Sequence, residues 1–366
     1  MRVLTLAGVS VALALTMGIA GPKAAGCDPV GKIQFICGQI GPEDLAVVPG
    51  GEWVIASSDA ANGAIRLIRI SDKTTTILFP TAAPMERLDK KTYDTCPGPI
   101  DPAEKERFRA HGLYLLPGKN AKHTLYVVHH GLRESIEVFE FDAKAKSPTL
   151  TWIGCAIPPD PVGLNSVVAL PDGGFVSTNY LARGDAAGRA KMMAGENNGE
   201  LWEWHTGTGW KIVPGTEASG ANGIEISKDG KWLYMAGWGN RTFMRFSRGQ
   251  TPMKKDVVQL DFRIDNIRWA PDGMLLLAGQ GGGDTLFGRG QPPGAPTPSP
   301  SPAPVATSNV VKLDPKTLKF VELVREPYND TFGFTTVAIQ VGKELWLGSV
   351  RGDKLARFPL DPQKSR

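Results

Sequence analysis

The sequence predicts an all-β fold: a six-bladed β-propeller with a metal site at its centre. The first observation is a repeated unit, in which a polar residue precedes an alternating apolar run, a turn of the Pro-Asp-Gly type and a second apolar run. Five stretches follow this pattern: GPEDLAV, AHGLYLLPG, LNSVVALPDG, ANGIEISKDG and IDNIRWAPDG. The second observation is a sixth copy, TTVAIQVGKELWLGSV. The third is a further strand pattern after each copy, which completes a small sheet.

Each predicted sheet has two apolar faces and can bury both only by stacking against neighbours around a ring. The six units begin near Glu43, His111, Asn165, Asn222, Asp265 and Thr335. They end in the strand patterns IRLIRI, IEVFEF, GELWEW, FMRFS, NVVKLD and KLARFPL. The apolar segment KIQFICGQI precedes the first unit. We expect it to add a strand to the C-terminal blade, so that backbone hydrogen bonds close the ring.

The N-terminus has the pattern of a secretory signal. Met1 and Arg2 precede an apolar run that stops at small residues, so residues 1–25 are predicted to be a cleaved signal peptide. The alternatives are a retained anchor helix and lipid attachment at Cys27, although Ala24 stands where a lipoprotein box usually has Leu. Secretion or a periplasmic location follows, and no segment of the mature chain is predicted to span a membrane.

Residues 27–366 are predicted to form one propeller domain. The net charge of +4 is scattered and forms no basic stripe, which argues against a nucleic-acid partner. Three insertions interrupt the repeat: a segment over 83–109 with the helix-like DPAEKERFRA, a stretch over 182–199 expected to hold a short helix, and a Pro/Ser-rich loop over 291–308.

Four cysteines suit an exported protein with disulfides, and three pairings are possible. The favoured pairing joins Cys96 to Cys155, which ties the long insertion to the second unit, and Cys27 to Cys37 as a local loop. None of the four has the CxxC spacing of a thiolate metal site.

The polar residues that open the repeats are candidates for metal ligands. The first strand of each propeller blade lines the central channel, so residues at equivalent starts converge there. The candidates are Glu43, Asp44, Asn165, Asn222, Asp265 and Asn266. Carboxylate and amide oxygens suit a hard cation such as Ca²⁺. Each residue alone is typical of a turn or cap, but the repeated register favours a metal site.

Two histidines lie at related positions and could exchange protons near neutral pH. His111 opens the second unit and His130 ends its second apolar run, so antiparallel neighbours bring them to one end of the channel. A structural histidine with a satisfied hydrogen bond is the alternative for each. His129 is expected on the opposite face, with His123 and His205 facing solvent.

On these motifs, the chain resembles the paraoxonase and arylesterase family of calcium-dependent lactonases, within a larger propeller group that includes gluconolactonases and strictosidine synthases. The resemblance rests on the Glu-Asp pair of GPEDLAV, AHGL followed by LYVVHH, ANGIEISKDG and the Asp-Asn pair. It implies a catalytic calcium with Glu43, Asn165, Asn222, Asp265 and Asn266 as ligands. It also implies Asp44 as a ligand of a second, structural calcium, His111 as general base and His130 as its orienting partner.

The chain departs from the family at three places. Ser166 stands where the family has a carboxylate, which leaves the second calcium open. No cysteine follows Cys155, so the family's disulfide between the termini cannot form. Gln280 falls near the place of a further family histidine.

The expected function is calcium-dependent hydrolysis of lactones or aryl esters. The chain has no GxSxG motif for a serine nucleophile. Six apolar side chains are expected to rim the channel and to favour a small apolar substrate: Tyr180, Met192, Met193, Trp238, Phe332 and Phe334. The alternatives are a gluconolactonase-like sugar lactonase and a noncatalytic binding propeller whose metal only fixes the channel.

Overall fold

The structure is a computed structural model that describes residues 26–101, 107–144, 147–282 and 305–361. These residues form six sheets arranged as the predicted six-bladed propeller. The strand β1 (Gln34–Cys37) comes first in the chain. The first blade then contains β2 (Leu45–Val47), β3 (Trp53–Ala56), β4 (Ile65–Arg69) and β5 (Thr75–Phe79).

The second blade is the largest of the six. It contains β6 (Met85–Glu86), β7 (Arg109–Leu116), β8 (Lys122–His130), β9 (Ser135–Asp142) and β10 (Thr149–Ala156). The short strand β6 pairs in parallel with β10 at the outer edge, whereas the other pairings are antiparallel.

The remaining blades have four strands each. The third contains β11 (Leu164–Ala169), β12 (Phe175–Asn179), β13 (Glu200–His205) and β14 (Gly209–Ile212), with the helix α1 (Gly188–Met193) between β12 and β13. The fourth contains β15 (Ala221–Ile226), β16 (Trp232–Gly237), β17 (Thr242–Ser247) and β18 (Lys255–Gln259). The fifth contains β19 (Arg263–Trp269), β20 (Leu275–Gly281), β21 (Thr307–Leu313) and β22 (Phe320–Pro327). The sixth contains β23 (Thr335–Val341), β24 (Glu344–Ser349) and β25 (Lys354–Pro359).

The strand β1 supplies the fourth strand of the sixth blade. It pairs antiparallel with β25, with Gln34 opposite Arg357 and Cys37 opposite Lys354. The innermost strands contact one another in the order β2, β7, β11, β15, β19, β23 and back to β2. Aromatic side chains pack between blades, as where Phe79 meets Phe108 and Phe139 edge to face.

The pairing register of five innermost strands breaks at the same place. The breaks lie between Ala110 and Leu113, Leu164 and Val167, Ala221 and Ile224, Ile264 and Ile267, and Thr335 and Val337. A bulge adds an unpaired residue and turns side chains away from strict alternation. The residues at four of the breaks are His111, Asn165, Asn222 and the Asp265-Asn266 pair. The polar positions of the second to fifth repeats are therefore at bulges of the channel wall, whereas Glu43 and Asp44 of the first repeat directly precede β2.

Both predicted disulfides, Cys27–Cys37 and Cys96–Cys155, are present. Two disulfides are consistent with an extracellular or periplasmic protein. Among the described residues, no helix is long and apolar enough to cross a membrane.

The predicted insertions have different outcomes. The short helix expected over 182–199 is α1. Part of DPAEKERFRA is extended, because Arg109 and Ala110 belong to β7, and residues 102–106 lie outside the described residues. The predicted signal peptide and most of the Pro/Ser-rich loop also lie outside them, and strand β21 already begins at Thr307.

Two glycines at the bulges allow neighbouring inner strands to approach closely. A Cβ atom on Gly112 would lie 2.4 Å from the Asn165 carbonyl oxygen, and one on Gly223 would lie 2.4 Å from the Asp265 carbonyl oxygen. We expect Gly112→Ala and Gly223→Ala each to lower the free energy of unfolding by about 1–3 kcal/mol, the usual cost of overpacking. Urea unfolding measures this free energy. Gly352→Ala is the control, since its Cβ would lie no closer than 3.3 Å to another atom. An equal loss of stability in Gly352→Ala would show that close packing at the bulges is not the cause.

Candidate metal centre and histidine pair

Contacts between side chains connect the predicted ligands at one end of the channel. Asn266 Nδ2 donates to Glu43 Oε1 at 2.7 Å, and His111 Nε2 lies 3.7 Å from the same oxygen. Asn165 Nδ2 lies 3.3 Å from His111 Nε2, and the Asn222 side chain hydrogen-bonds Asp265. The structure therefore brings Glu43, Asn165, Asn222, Asp265 and Asn266 together from three blades and the segment before β2.

Four buried oxygens in this group have no hydrogen-bond partner among the described residues: Glu43 Oε2, Asn165 Oδ1, Asn222 Oδ1 and Asn266 Oδ1. A buried polar atom without a partner costs about 1–3 kcal/mol. Four such atoms, all oxygens and all in one group, are what a hard cation would satisfy, because Ca²⁺ binds carboxylate and amide oxygens. The residues present therefore fit a calcium ion.

The two carboxylates of the group lie in an environment that disfavours negative charge. Burial raises the pKa of Glu43 well above its usual value, and the nearby charges of Asp44, Asp265 and Asp59 raise it further. Burial also raises the pKa of Asp265 to about 7. Within the described part of the chain, no three or more His, Cys, Asp or Glu side chains form a group suited to a metal. The group contains only these two carboxylates, and its other donors are amides.

Gln280 fixes the orientation of Asp265. Its Nε2 donates to Asp265 Oδ2 at 2.7 Å and to the Thr335 carbonyl oxygen at 2.6 Å, and its Oε1 accepts from Trp238 Nε1 at 2.8 Å. Gln280 thus supports a candidate ligand, although the residue at this position differs from the corresponding one in the family that the sequence resembles.

The predicted histidine pair is in contact: His111 Nδ1 lies 2.7 Å from His130 Nε2. His130 Nδ1 lies 2.8 Å from Glu134 Oε2. Since a carboxylate only accepts, His130 carries its proton on Nδ1, its Nε2 accepts from His111 Nδ1, and His111 Nε2 keeps a lone pair. Burial lowers the pKa of His111 to about 4, so its ring is neutral at pH 7.

Glu134 was missed by the sequence analysis. It is buried, and its Oε1 accepts from the Leu164 backbone N–H of the third blade at 2.6 Å. The available signal was its position four residues after His130, in the short connection between β8 and β9.

Asp59 was also missed. Its Oδ1 accepts from Arg109 at 2.7 Å and its Oδ2 lies 3.9 Å from His111 Nδ1. Burial opposes ionisation, but the neighbouring His111, His130 and Arg109 side chains together lower the pKa of Asp59, and of these Arg109 is charged under all ordinary conditions. Asp59 is therefore an ionised neighbour of the histidine pair whose charge is balanced by Arg109.

Asp44 differs from its neighbour Glu43. Its Oδ1 accepts from the Leu45 backbone N–H at 2.8 Å, and its Oδ2 accepts from the Leu113 N–H at 2.7 Å and from the Arg268 guanidinium. Both oxygens are satisfied by the protein itself. Asp44, which was expected to be a metal ligand, is therefore a carboxylate that is already ion-paired with Arg268.

The other histidines follow the expectations in part. His129 is fully buried and stacks on Phe108, away from His130. His205 is half-exposed beside Glu203. The prediction for His123 was wrong: it is buried, and its Nδ1 accepts from the Gly118 N–H at 3.1 Å.

Three of the six predicted rim residues line the cavity beside Glu43 and His111: Tyr180, Trp238 and Phe334. Met192 and Met193 pack behind Trp238 and Tyr180. Phe332 instead packs against Phe35 in the core at the sixth blade.

Comparison with solved structures identifies proteins of similar fold. A luciferin-regenerating enzyme is 14% identical with a TM-score of 0.54, covering 89% of this chain and 94% of that one. A gluconolactonase from Xanthomonas campestris is 14% identical with a TM-score of 0.52, covering 90% and 89%. Regucalcin from Agrobacterium tumefaciens, a calcium-binding protein, is 13% identical with a TM-score of 0.50, covering 89% and 92%. At these identities the likeness shows the fold alone, a six-bladed β-propeller. No protein-family model and no curated protein matches the chain.

Proposed function

We propose that the protein is a calcium-dependent hydrolase of lactones or aryl esters, exported to the periplasm or the cell exterior after cleavage of residues 1–25. The observation that carries the proposal is the set of four unpartnered oxygens on Glu43, Asn165, Asn222 and Asn266. They lie next to a neutral histidine, His111, whose Nε2 lone pair faces this group. Gluconolactonase and regucalcin relatives in fold agree with a lactonase-like propeller that binds calcium.

Glu43, Asn165, Asn222, Asp265 and Asn266 would hold the ion. Calcium bound there supplies a Lewis acid that polarises the carbonyl of the substrate. Tyr180, Trp238 and Phe334 would pack against the apolar part of the substrate, and this argues for an aryl or alkyl group beside the ester.

His111 Nε2 would accept the proton of the attacking water. The bond from water oxygen to the acyl carbon forms, the acyl C–O bond breaks, and the proton passes from His111 to the departing alkoxide. His130 stabilises the cationic ring of His111 through the 2.7 Å contact, and Glu134 keeps His130 in the tautomer that can accept. Glu134 is thus a positioning residue.

We expect added calcium to raise the midpoint of thermal unfolding, because the ion satisfies buried oxygens that lack partners in its absence. EDTA should abolish the turnover of phenyl acetate and of γ- and δ-lactones. Glu43→Gln and Asp265→Asn should lose both the stabilisation by calcium and the turnover, whereas Glu52→Gln, at an exposed position in the first blade, should keep both.

Differential scanning fluorimetry measures the stabilisation by calcium, and a spectrophotometric esterase assay measures the turnover. Full activity in EDTA would overturn the proposal, and binding without any turnover would favour the noncatalytic propeller.

We expect His111→Gln to lower kcat at least about 100-fold at saturating calcium, since a general base contributes about 10²–10⁴-fold. Glu134→Gln should lower kcat by about 10–100-fold, the usual effect of losing a supporting carboxylate. Because both act through one relay, the double variant should lose little more than His111→Gln.

The controls for the relay are His205→Gln and Glu203→Gln, which change a half-exposed histidine and its carboxylate partner on β13. Calcium-induced stabilisation should persist in every relay variant, which separates the relay from the metal centre. Unchanged kcat in His111→Gln would place the base on another residue.

A further inference from the structure

Arg268 extends from β19 into the channel next to the candidate metal centre. Its side chain is 8% exposed. Nη2 donates to Asp44 and to the Leu113 carbonyl oxygen at 3.0 Å, and Nε donates to the Leu45 carbonyl oxygen at 3.3 Å. One guanidinium thus joins the fifth blade to the first and the second.

The charge around Arg268 is arranged for a cation. Asp44 is fully buried and ion-paired with it, and buried Glu225 of the fourth blade has Oε1 3.8 Å from Nη1. Arg268 is therefore the cation shared by two buried carboxylates from different blades. A guanidinium stays charged under all ordinary conditions and donates in several directions, which suits it to this position.

Asp44 and Glu43 are adjacent, yet their surroundings differ. Around Glu43, four oxygens lack hydrogen-bond partners among the described residues. The side-chain oxygens of Asp44, Ser166 and Glu225 include none that is both buried and unpartnered there. Ser166 Oγ accepts from the Ile224 N–H at 3.4 Å, and both Asp44 oxygens accept from backbone N–H groups. The oxygens that would have to coordinate a second ion therefore already accept hydrogen bonds from the protein.

We infer that Arg268 takes the place of a second, structural cation, so that the chain binds one divalent ion and holds this part of the channel together with its own guanidinium. The residues around Asp44 do not fit the second calcium that the family resemblance implies. Ser166 in place of a carboxylate and Arg268 in place of the ion are then two parts of one change.

Metal counting and stability measurements test this inference together. Mass spectrometry of the protein after calcium loading and desalting should find one ion per chain, retained in Asp44→Asn and lost in Glu43→Gln. Arg268→Met and Asp44→Asn should each lower the midpoint of thermal unfolding. For each variant the decrease in EDTA should equal the decrease in calcium. Their double variant should lose less than the sum of the two, since both remove one ion pair.

Arg325→Met is the control for loss of an arginine, because its ion pairs with Asp261 and Glu322 are exposed and such pairs contribute little. Two ions per chain, with one lost in Asp44→Asn, would overturn the inference. So would a loss of stability in Arg268→Met no larger than in Arg325→Met.

A separate observation concerns the substrate and rests on the proposed function. Arg189 and Arg351 line the same cavity as Glu43 and Asp265. Arg351 lies over the Phe334 ring at 4.0 Å, and the positive charge of Arg189 offsets part of the rise that burial causes in the pKa of Tyr180. Neither guanidinium forms an ion pair within the described residues.

The carboxylates of this cavity have other partners. Asp59 is paired with Arg109, and Glu43 and Asp265 are the candidate ligands. Two cations thus remain beside aromatic walls, and we propose that the preferred substrate carries an anionic group, such as a carboxylate, next to its ester or lactone.

The test compares 4-nitrophenyl acetate with mono-4-nitrophenyl glutarate. We expect kcat/KM to favour the anionic ester at least about tenfold, with the preference falling as salt screens the arginines. It should disappear in Arg189→Gln/Arg351→Gln but not in Arg183→Gln, an exposed arginine paired with Asp160. An unchanged preference in the double variant would overturn the proposal. If neither ester is turned over, the hydrolase proposal fails instead. Benzoate binding to the calcium-loaded protein then still tests the arginines. Equal affinity of wild type and double variant for benzoate would exclude Arg189 and Arg351 as an anion-binding site.

Discussion

The concentration of buried oxygens at one end of the channel is the constraint on which the site depends. Bulges at equivalent places in the inner strands turn polar side chains from successive blades toward a common centre. The same geometry brings backbones so close that Gly112 and Gly223 have no room for a side chain. Positive charge at the centre would stabilise such a group of oxygens, because isolated buried carboxylates and unpartnered amide oxygens are costly.

The protein supplies that positive charge selectively. Asp44 receives Arg268 and Asp59 receives Arg109, so these two carboxylates have fixed partners within the fold. Among the residues that the structure describes, Glu43 and Asp265 accept side-chain hydrogen bonds from the amides of Asn266, Asn222 and Gln280 and have no Lys or Arg partner. The proposed calcium ion would therefore bind where the described residues provide no cation, beside Glu43 and away from Asp44.

The repeat made much of the fold and the centre predictable, because equivalent positions in successive blades have equivalent surroundings. Partners that depend on contacts between blades were not predictable: Glu134 is anchored by the Leu164 N–H of the next blade, and Arg268 reaches Asp44 over 224 positions of sequence. Local rules also failed at particular residues. Phe332 and Phe334 are two apart, as on one face of a strand, but Phe334 has a φ of 57°, so the alternation breaks and Phe332 packs into the core. His123 lies on β8, where Phe141 stacks against it and excludes solvent.

The packing of the second blade against the third also determines the geometry of the histidine pair. Glu134 would set the direction of the proposed proton relay, because its two oxygens hold His130 in the second blade and a backbone N–H in the third. At the other end, His111 Nε2 faces Asn165 of the third blade and Glu43 before the first. A small separation of the second and third blades would lengthen contacts at both ends of the relay at once. The close contacts between their inner strands would therefore orient the proposed base as well as stabilise the fold, and the glycine beside His111 is what permits this close approach.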